Sequence, residues 1–159
     1  MQIRILAVGK IKEPYLREGI LEYEKRLRPY AKVQVTEIPE EKRALHPSAA
    51  QEFLAKEQEG ERLLSGIPPD AFVVVLDVHG TPQSSEEFAA HIKNQEIAGK
   101  SSIVMIIGGD LGLSPAVIST AHLRLSLSHM TFTHQMVRLI LLEQIYRAFR
   151  IIRGEPYHK

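Results

Sequence analysis

An α/β fold with a mainly parallel sheet flanked by helices is the architecture this 159-residue sequence predicts, on three observations. Short apolar runs alternate with segments of helical periodicity along the whole chain, which is how strands and covering helices follow one another in an α/β domain. Two of those runs, residues 72–77 (FVVVLD) and Ser102–Ile107 (SIVMII), are rich in β-branched residues and lack polar alternation, the pattern of strands buried on both faces of a parallel sheet. No linker-like, repetitive or low-complexity stretch interrupts the series, so residues 1–159 are expected to form a single domain.

Taken in order, residues 3–8 (IRILAV) are an apolar run ending at Gly9 and read as a strand, too short for a signal-peptide core. Tyr15, Leu16, Ile20, Tyr23 and Leu27 then fall at helical spacing across residues 14–28. Residues 33–38 (VQVTEI) alternate apolar and polar up to Pro39, as in a half-buried strand. A polar loop over 40–47 leads to a helix of mixed charge over 48–65, stopped by Gly66 and Pro68-Pro69. After the strand at 72–77, Ser84 and Glu87 form a capping-box pair opening a helix to residue 94 or so. Beyond the second buried strand, Ser114-Pro115 supplies an N-cap and a first-turn proline for a helix to the region of Ala121. A short strand at 123–127 precedes a last helix expected over 134–152.

That last helix carries Val137, Leu139, Ile140, Leu141, Leu142, Ile145, Tyr146, Ala148, Phe149 and Ile151 at nearly every angle around its axis. A helix apolar all round is buried all round. One small sheet covers one face, so a second copy of the chain is expected to cover another, giving a homodimer. The alternative is a single larger core. Arg138, Glu143, Arg147 and Arg150 interrupt the apolar stretch, so it is not a membrane span.

Composition is that of an ordinary globular protein, 44% hydrophobic and 25% charged. No cysteine occurs, which excludes disulfides, thiolate metal sites and a cysteine nucleophile, and suits the cytoplasm. The histidines show no HxxxH or HExxH spacing, so no metal centre is expected. Net charge is +1, but seven Lys or Arg against four Glu occupy residues 1–30, and six against two acidic residues occupy 121–159, while the middle is acidic. If the fold brings the two ends together, the shared face would attract a phosphate backbone; otherwise the cations form an ordinary solvated surface.

Two loops and one tail are candidates for chemistry. IGGDLG (107–112) is a glycine-rich turn directly after a buried strand, where α/β sheets bind ligands beyond their carboxyl ends. It is neither GxGxxG nor a P-loop, and alone it is equally a tight turn without a ligand. Residues 126–131 (SLSHMT) join the last strand to the last helix and offer small residues and backbone amides. His134, beside the positive end of that helix, is a candidate proton acceptor, with Arg138 one turn further on the same face. Glu143 and Arg147 are spaced to pair. The tail ends in Tyr157, His158 and Lys159, which could stack on a base, relay a proton and hold a phosphate.

Taken together, ILAVGK (5–10) with EYEKRL (22–27), the Leu76-Asp77 strand end with Gly80 after it, IGGDLGLS (107–114), SLSHMTFTHQMVR (126–138), EQIYRA (143–148) and PYHK (156–159) closely resemble the ribosomal RNA large subunit methyltransferase H family, over essentially the whole chain. The resemblance implies a minimal SPOUT enzyme with a C-terminal trefoil knot. It implies a homodimer with S-adenosyl-L-methionine in the knot of one subunit and RNA contacts from the other. The implied substrate is N3 of a pseudouridine in helix 69 of 23S ribosomal RNA, on the assembled ribosome. By position it assigns the cofactor to Leu76, Gly108, Leu127, Ser128, His129, Met130, Thr131 and Phe132. It assigns catalysis or substrate binding to His134, Arg147, Tyr157 and His158, and RNA contact to Arg138 and Lys159. Many relatives carry proline where this chain has Thr133, whose hydroxyl is expected to cap the helix instead. Another SPOUT substrate such as transfer RNA, or a non-catalytic ribosome-binding factor, stays open on sequence. The missing cysteine bears on the chemistry, since methylating pyrimidine carbon 5 generally needs a thiolate adduct, whereas a deprotonated ring nitrogen attacks a sulfonium methyl directly.

Overall fold

The structure is a computed structural model in which residues 1–157 are described. The elements follow the predicted order: β1 (Gln2–Val8), α1 (Pro14–Leu27), β2 (Lys32–Ile38), α2 (Ala49–Ser65), β3 (Phe72–Pro82), α3 (Ser85–Ile97), β4 (Ser102–Ile107), α4 (Pro115–Ile118), β5 (Leu123–Ser126) and α5 (His134–Arg153). The β-strands form one sheet in the order β2-β1-β4-β3-β5, with every pairing parallel.

Because successive strand residues point to opposite faces, β1 and β4 feed two cores. Ile3, Ile5 and Ala7 with Ile103, Met105 and Ile107 pack beneath α1, α3 and α5, whereas Leu6 and Val8 with Val104 and Ile106 pack against Leu63 of α2 and Val117 of α4. The near-continuous apolar runs are thus explained by burial on both sides. β2 is one edge of the sheet and β5 the other, and the exposed Lys32, Gln34 and Glu37 of β2 discourage further pairing there.

The N-termini obey their local signals. Ser48 and Ser84 each make a full capping box, Ser114 accepts from the Val117 amide, and Thr133 accepts from the Met136 amide at 3.3 Å. The ends of elements depart more. α3 continues to Ile97, three residues beyond expectation, whereas α4 is a single turn ending at Ile118. β3 runs past residue 77 to Pro82 because its pairing with β5 breaks after Leu76 and resumes at Thr81, residues 77–80 bulging out between. Gly80 makes this possible: a β-carbon there would lie 2.6 Å from the Arg124 carbonyl oxygen.

α5 lies between α1 and α3, with Leu141, Leu142, Ile145, Ala148 and Phe149 buried. Its neighbouring helices cover flanks that an argument from the sheet alone left open. Val137, Leu139, Ile140, Tyr146, Ile151 and Ile152 are only partly covered. α1 and α5 run side by side, Gly19 meeting Leu139 near one end and Tyr30 stacking on Phe149 at 5.7 Å near the other. The basic last turns of both helices, with Lys25, Arg26, Arg150 and Arg153, therefore share one end of the molecule. Among the described residues no helix is long and apolar enough to cross a membrane, and no group of three or more metal-ligating side chains occurs.

Candidate functional site

Parallel strands place their carboxyl ends on one side, and the loops leaving β3, β4 and β5 surround a pocket of about 1110 Å³ there. From β3 come Leu76, Asp77, Val78 and His79; from the β4 loop, residues 107–113; from the β5 loop, Leu127, Ser128 and residues 130–135. Of the positions expected to hold a cofactor, Leu76, Gly108, Leu127, Ser128, Met130, Thr131 and Phe132 all line this pocket, and His129 does not. Leu76 and Gly108, 32 positions apart in sequence, meet because β3 and β4 are hydrogen-bonded neighbours.

The glycine turn closes tightly on itself. The Gly112 amide donates to the Gly109 carbonyl at 3.1 Å, and a β-carbon on Gly108 would lie 3.0 Å from the Gly112 backbone. Asp110 ties this turn to the 40–47 loop, accepting from Arg43 at 2.7 and 2.9 Å. Burial acts to raise the Asp110 carboxyl, but the Arg43 hydrogen bond and charge outweigh it and hold the group below its usual range. Asp77 is held likewise: burial opposes, and Arg124 at 2.5 Å with the His79 amide at 3.0 Å wins. In the third loop the Met130 amide donates to Ser128 Oγ at 3.0 Å, and Ser126 Oγ donates to the Ser128 carbonyl at 3.1 Å. Met130 and Phe132, also in the lining, stand 76% and 44% exposed.

Glu59 sits beneath the turn, buried, with a β-carbon on Gly109 only 3.8 Å from its Oε1. Its Oε2 accepts the Glu41 amide at 3.1 Å, while Oε1 is buried with no hydrogen-bond partner. Burial, reinforced by Glu40 and Asp110, raises its pKa. A carboxyl with a raised folded pKa contributes stability that is present below its unfolded value and lost as pH rises through the folded one. Glu59→Gln is therefore expected to unfold at the same temperature as the parent at pH 4 and at a higher one at pH 8, which calorimetry at the two pH values checks.

The remaining expected residues separate into two places. His134 lines the pocket and approaches Gly9, where a β-carbon would sit 3.3 Å from its Nε2. Arg147 and Tyr157 lie elsewhere, on the α1/α5 face, with the guanidinium 4.8 Å over the tyrosine ring. The anticipated Glu143–Arg147 pair forms at 2.6 Å. Arg138, expected at an RNA-contacting position, is placed inside: 1% exposed, it donates to Glu37 Oε1 at 2.7 Å and to the Gly9 carbonyl at 3.0 Å, which leaves it unable to reach a phosphate backbone. His158 and Lys159 lie outside the described residues. Sequence reasoning missed Arg124, Lys56 and Glu59 near the pocket and Glu143 as a hydrogen-bond partner of Tyr157; Arg124 meets Asp77 at a separation of 47 residues and Glu59 meets Glu41 at 18, where no local spacing applies.

The family described as predicted SPOUT methyltransferases matches residues 1–158. Over 159 residues, and all of both chains, the sequence is 57% identical to ribosomal RNA large subunit methyltransferase H of Halothermothrix orenii and 52% identical to the protein of that name from Bacillus pumilus. The crystal structure of a probable methyltransferase from Bordetella pertussis Tohama I shares the fold, with a TM-score of 0.58 at 13% identity over 92% of this chain and 93% of that one.

Proposed function

The chain belongs to the SPOUT methyltransferase family, and from that premise we propose that it methylates large-subunit ribosomal RNA, transferring a methyl group from S-adenosyl-L-methionine to N3 of a pseudouridine in helix 69 on the assembled ribosome. The observation that carries the reading is the pocket into which Leu76, the Gly108 turn and the 127–132 segment converge. The full-length relatives named for ribosomal RNA methylation supply the substrate class.

The lining suits such a donor. Leu76, Ile107, Leu125, Leu127 and Phe132 offer apolar walls for an adenosine and a thioether chain, and the polar part of the lining is mixed in charge, with Asp77 paired to Arg124 and Asp110 paired to Arg43. When bound, S-adenosylmethionine supplies an electrophilic methyl group on a sulfonium centre. The protein's part is to hold the acceptor nitrogen in line, since positioning contributes most to such a displacement. His134 in the lining takes the N3 proton, a role for which His158 of the tail is the competing group. Arg147 holds phosphate or the developing imide anion, and Tyr157 stacks against the base. Because those two residues stand away from the chain's own pocket, the working site is completed by α5 and the tail of a second copy. The partly covered apolar residues of α5 support that homodimer. The return of the chain from edge strand β5 to a helix seated between α1 and α3 supports a C-terminal knot. A modified ribosome places the enzyme in the cytoplasm.

The decisive experiment is mass spectrometry of large-subunit RNA from a deletion strain, in which the N3-methylated pseudouridine should vanish and return with the gene. An unchanged modification profile would exclude the reading, and no heat of binding with S-adenosylmethionine in a calorimeter would leave only a non-catalytic factor.

Binding of RNA has its own expected signature. Lys25, Arg28 and Arg153 are exposed on the shared basic end of α1 and α5. The triple Gln variant is expected to bind ribosomal RNA more weakly and to flatten the plot of log K against log salt concentration, by about 0.7–0.9 for each phosphate no longer neutralised. Its S-adenosylmethionine affinity should equal that of the parent. An unchanged salt slope would place the RNA on another face.

A further inference from the structure

Glu143 is the one acidic side chain of α5, and its carboxylate is the meeting point of the residues assigned to the substrate. Oε1 accepts Arg147 Nε at 3.1 Å and Nη2 at 2.6 Å, and also the Tyr157 hydroxyl at 3.1 Å. Oε2 accepts the Gln144 side-chain amide at 2.7 Å, and the Gln144 carbonyl oxygen in turn accepts from Ser85 Oγ at 2.7 Å. The carboxylate is thereby braced against the start of α3.

From the other side the Tyr157 ring is pinned edge-on to Tyr146, with centroids 4.9 Å apart, and its hydroxyl lies 3.4 Å from that of Tyr23 on α1. The segment leading to it is tethered as well: Arg150 pairs with Glu155 and donates to the Pro156 carbonyl at 3.1 Å. Burial, then the Tyr23 and Glu143 hydrogen bonds, push the Tyr157 phenol well above its usual pKa, so it stays a neutral donor to the carboxylate. The Arg147 guanidinium is raised chiefly by its hydrogen bond to Glu143, and stays charged.

We infer that Glu143 is a positioning residue for methyl transfer, setting the Arg147 guanidinium and the Tyr157 ring as one rigid constellation. The inference rests on the roles proposed above for those two residues. A carboxylate bound to a cation and to a phenol through the same oxygen fixes the distance between them. Without it, the Arg147 guanidinium gives up two charge-assisted hydrogen bonds and the Tyr157 hydroxyl gives up its hydrogen bond to α5, leaving the ring held there only by its packing on Tyr146 and Arg147. Glu143 does not line the cofactor pocket, so its loss acts on the acceptor side alone.

The test is Glu143→Gln in the full chain, with Tyr157→Phe as a milder variant that removes the hydroxyl from Glu143 and from Tyr23 and leaves the Glu143–Arg147 pair in place. Expected for Glu143→Gln are a kcat for methyl transfer to ribosomes reduced by at least about tenfold, an S-adenosylmethionine Kd unchanged within twofold, and faster amide exchange at residues 154–157. Tyr157→Phe should show a smaller loss in the same direction. In an Arg147→Ala background, Glu143→Gln should cost little more, because residues acting through one another are non-additive. Unchanged exchange at 154–157, or full additivity with Arg147→Ala, overturns the inference. If the parent protein itself transfers no methyl group to ribosomes, the proposed function falls instead, and the exchange measurement still decides whether Glu143 holds the tail.

Discussion

Gly108→Val is expected to weaken S-adenosylmethionine binding by at least about 100-fold, or roughly 2.7 kcal/mol, while leaving a folded protein. A β-carbon at this position would lie 3.0 Å from the carbonyl carbon and oxygen of Gly112 and 3.0 Å from Leu113 Cδ2. The leucine end could turn aside, but the Gly112 backbone cannot, because its amide is bonded to the Gly109 carbonyl across the same turn. A branched side chain therefore opens the turn, and the turn is a wall of the pocket. The sheet should survive, since Ile107 before the turn is paired with Ala7 of β1. Isothermal titration gives the affinity and circular dichroism the fold. Parent-like affinity would show that the glycine turn does not shape the binding site.

Glu37→Leu is expected to lower the unfolding free energy by about 2–3 kcal/mol, read from urea denaturation. Breaking a fully buried ion pair costs about 3–5 kcal/mol, mostly from the charge left behind. Here Arg138 is 1% exposed but Glu37 is 40% exposed, so solvent screening reduces the figure. The stranded group is the guanidinium: burial already presses its pKa downward, Glu37 offsets that, and its Nε has no partner. Pairing Glu37→Leu with Arg138→Met should recover much of the loss, because the unpaired charge is then gone. Methyl transfer should suffer too, since the Gly9 carbonyl held by Arg138 lies in the corner occupied by His134. A denaturation midpoint within error of the parent for Glu37→Leu would mean that water reaches Arg138 after all.

Much of the candidate site was legible in one dimension because its parts are loops with local signatures. Gly108 follows a β-branched strand, Thr133 caps α5 as its hydroxyl allows, and Glu143 and Arg147 stand one helical turn apart. Arg138 was not legible. On the sequence it sits one turn from His134 and reads as a cation on the same face, but its direction is decided by Glu37, 101 residues earlier on the neighbouring strand β2. The same holds for the extension of β3, where the pairing with β5, not the strand's own residues, decides that Thr81 and Pro82 rejoin the sheet.

By itself the sequence determined the order of strands and helices, the parallel sheet, the helix starts and the family. Each of these depends on residues within a turn or two of one another, or on a pattern read along the whole chain. Only the tertiary structure decided that the glycine turn, the 127–132 segment and Leu76 enclose one pocket, that Arg138 faces inward, and that Glu143 joins Arg147 to Tyr157. Those arrangements depend on strand order and on helices packed side by side, which bring together side chains that no periodicity relates.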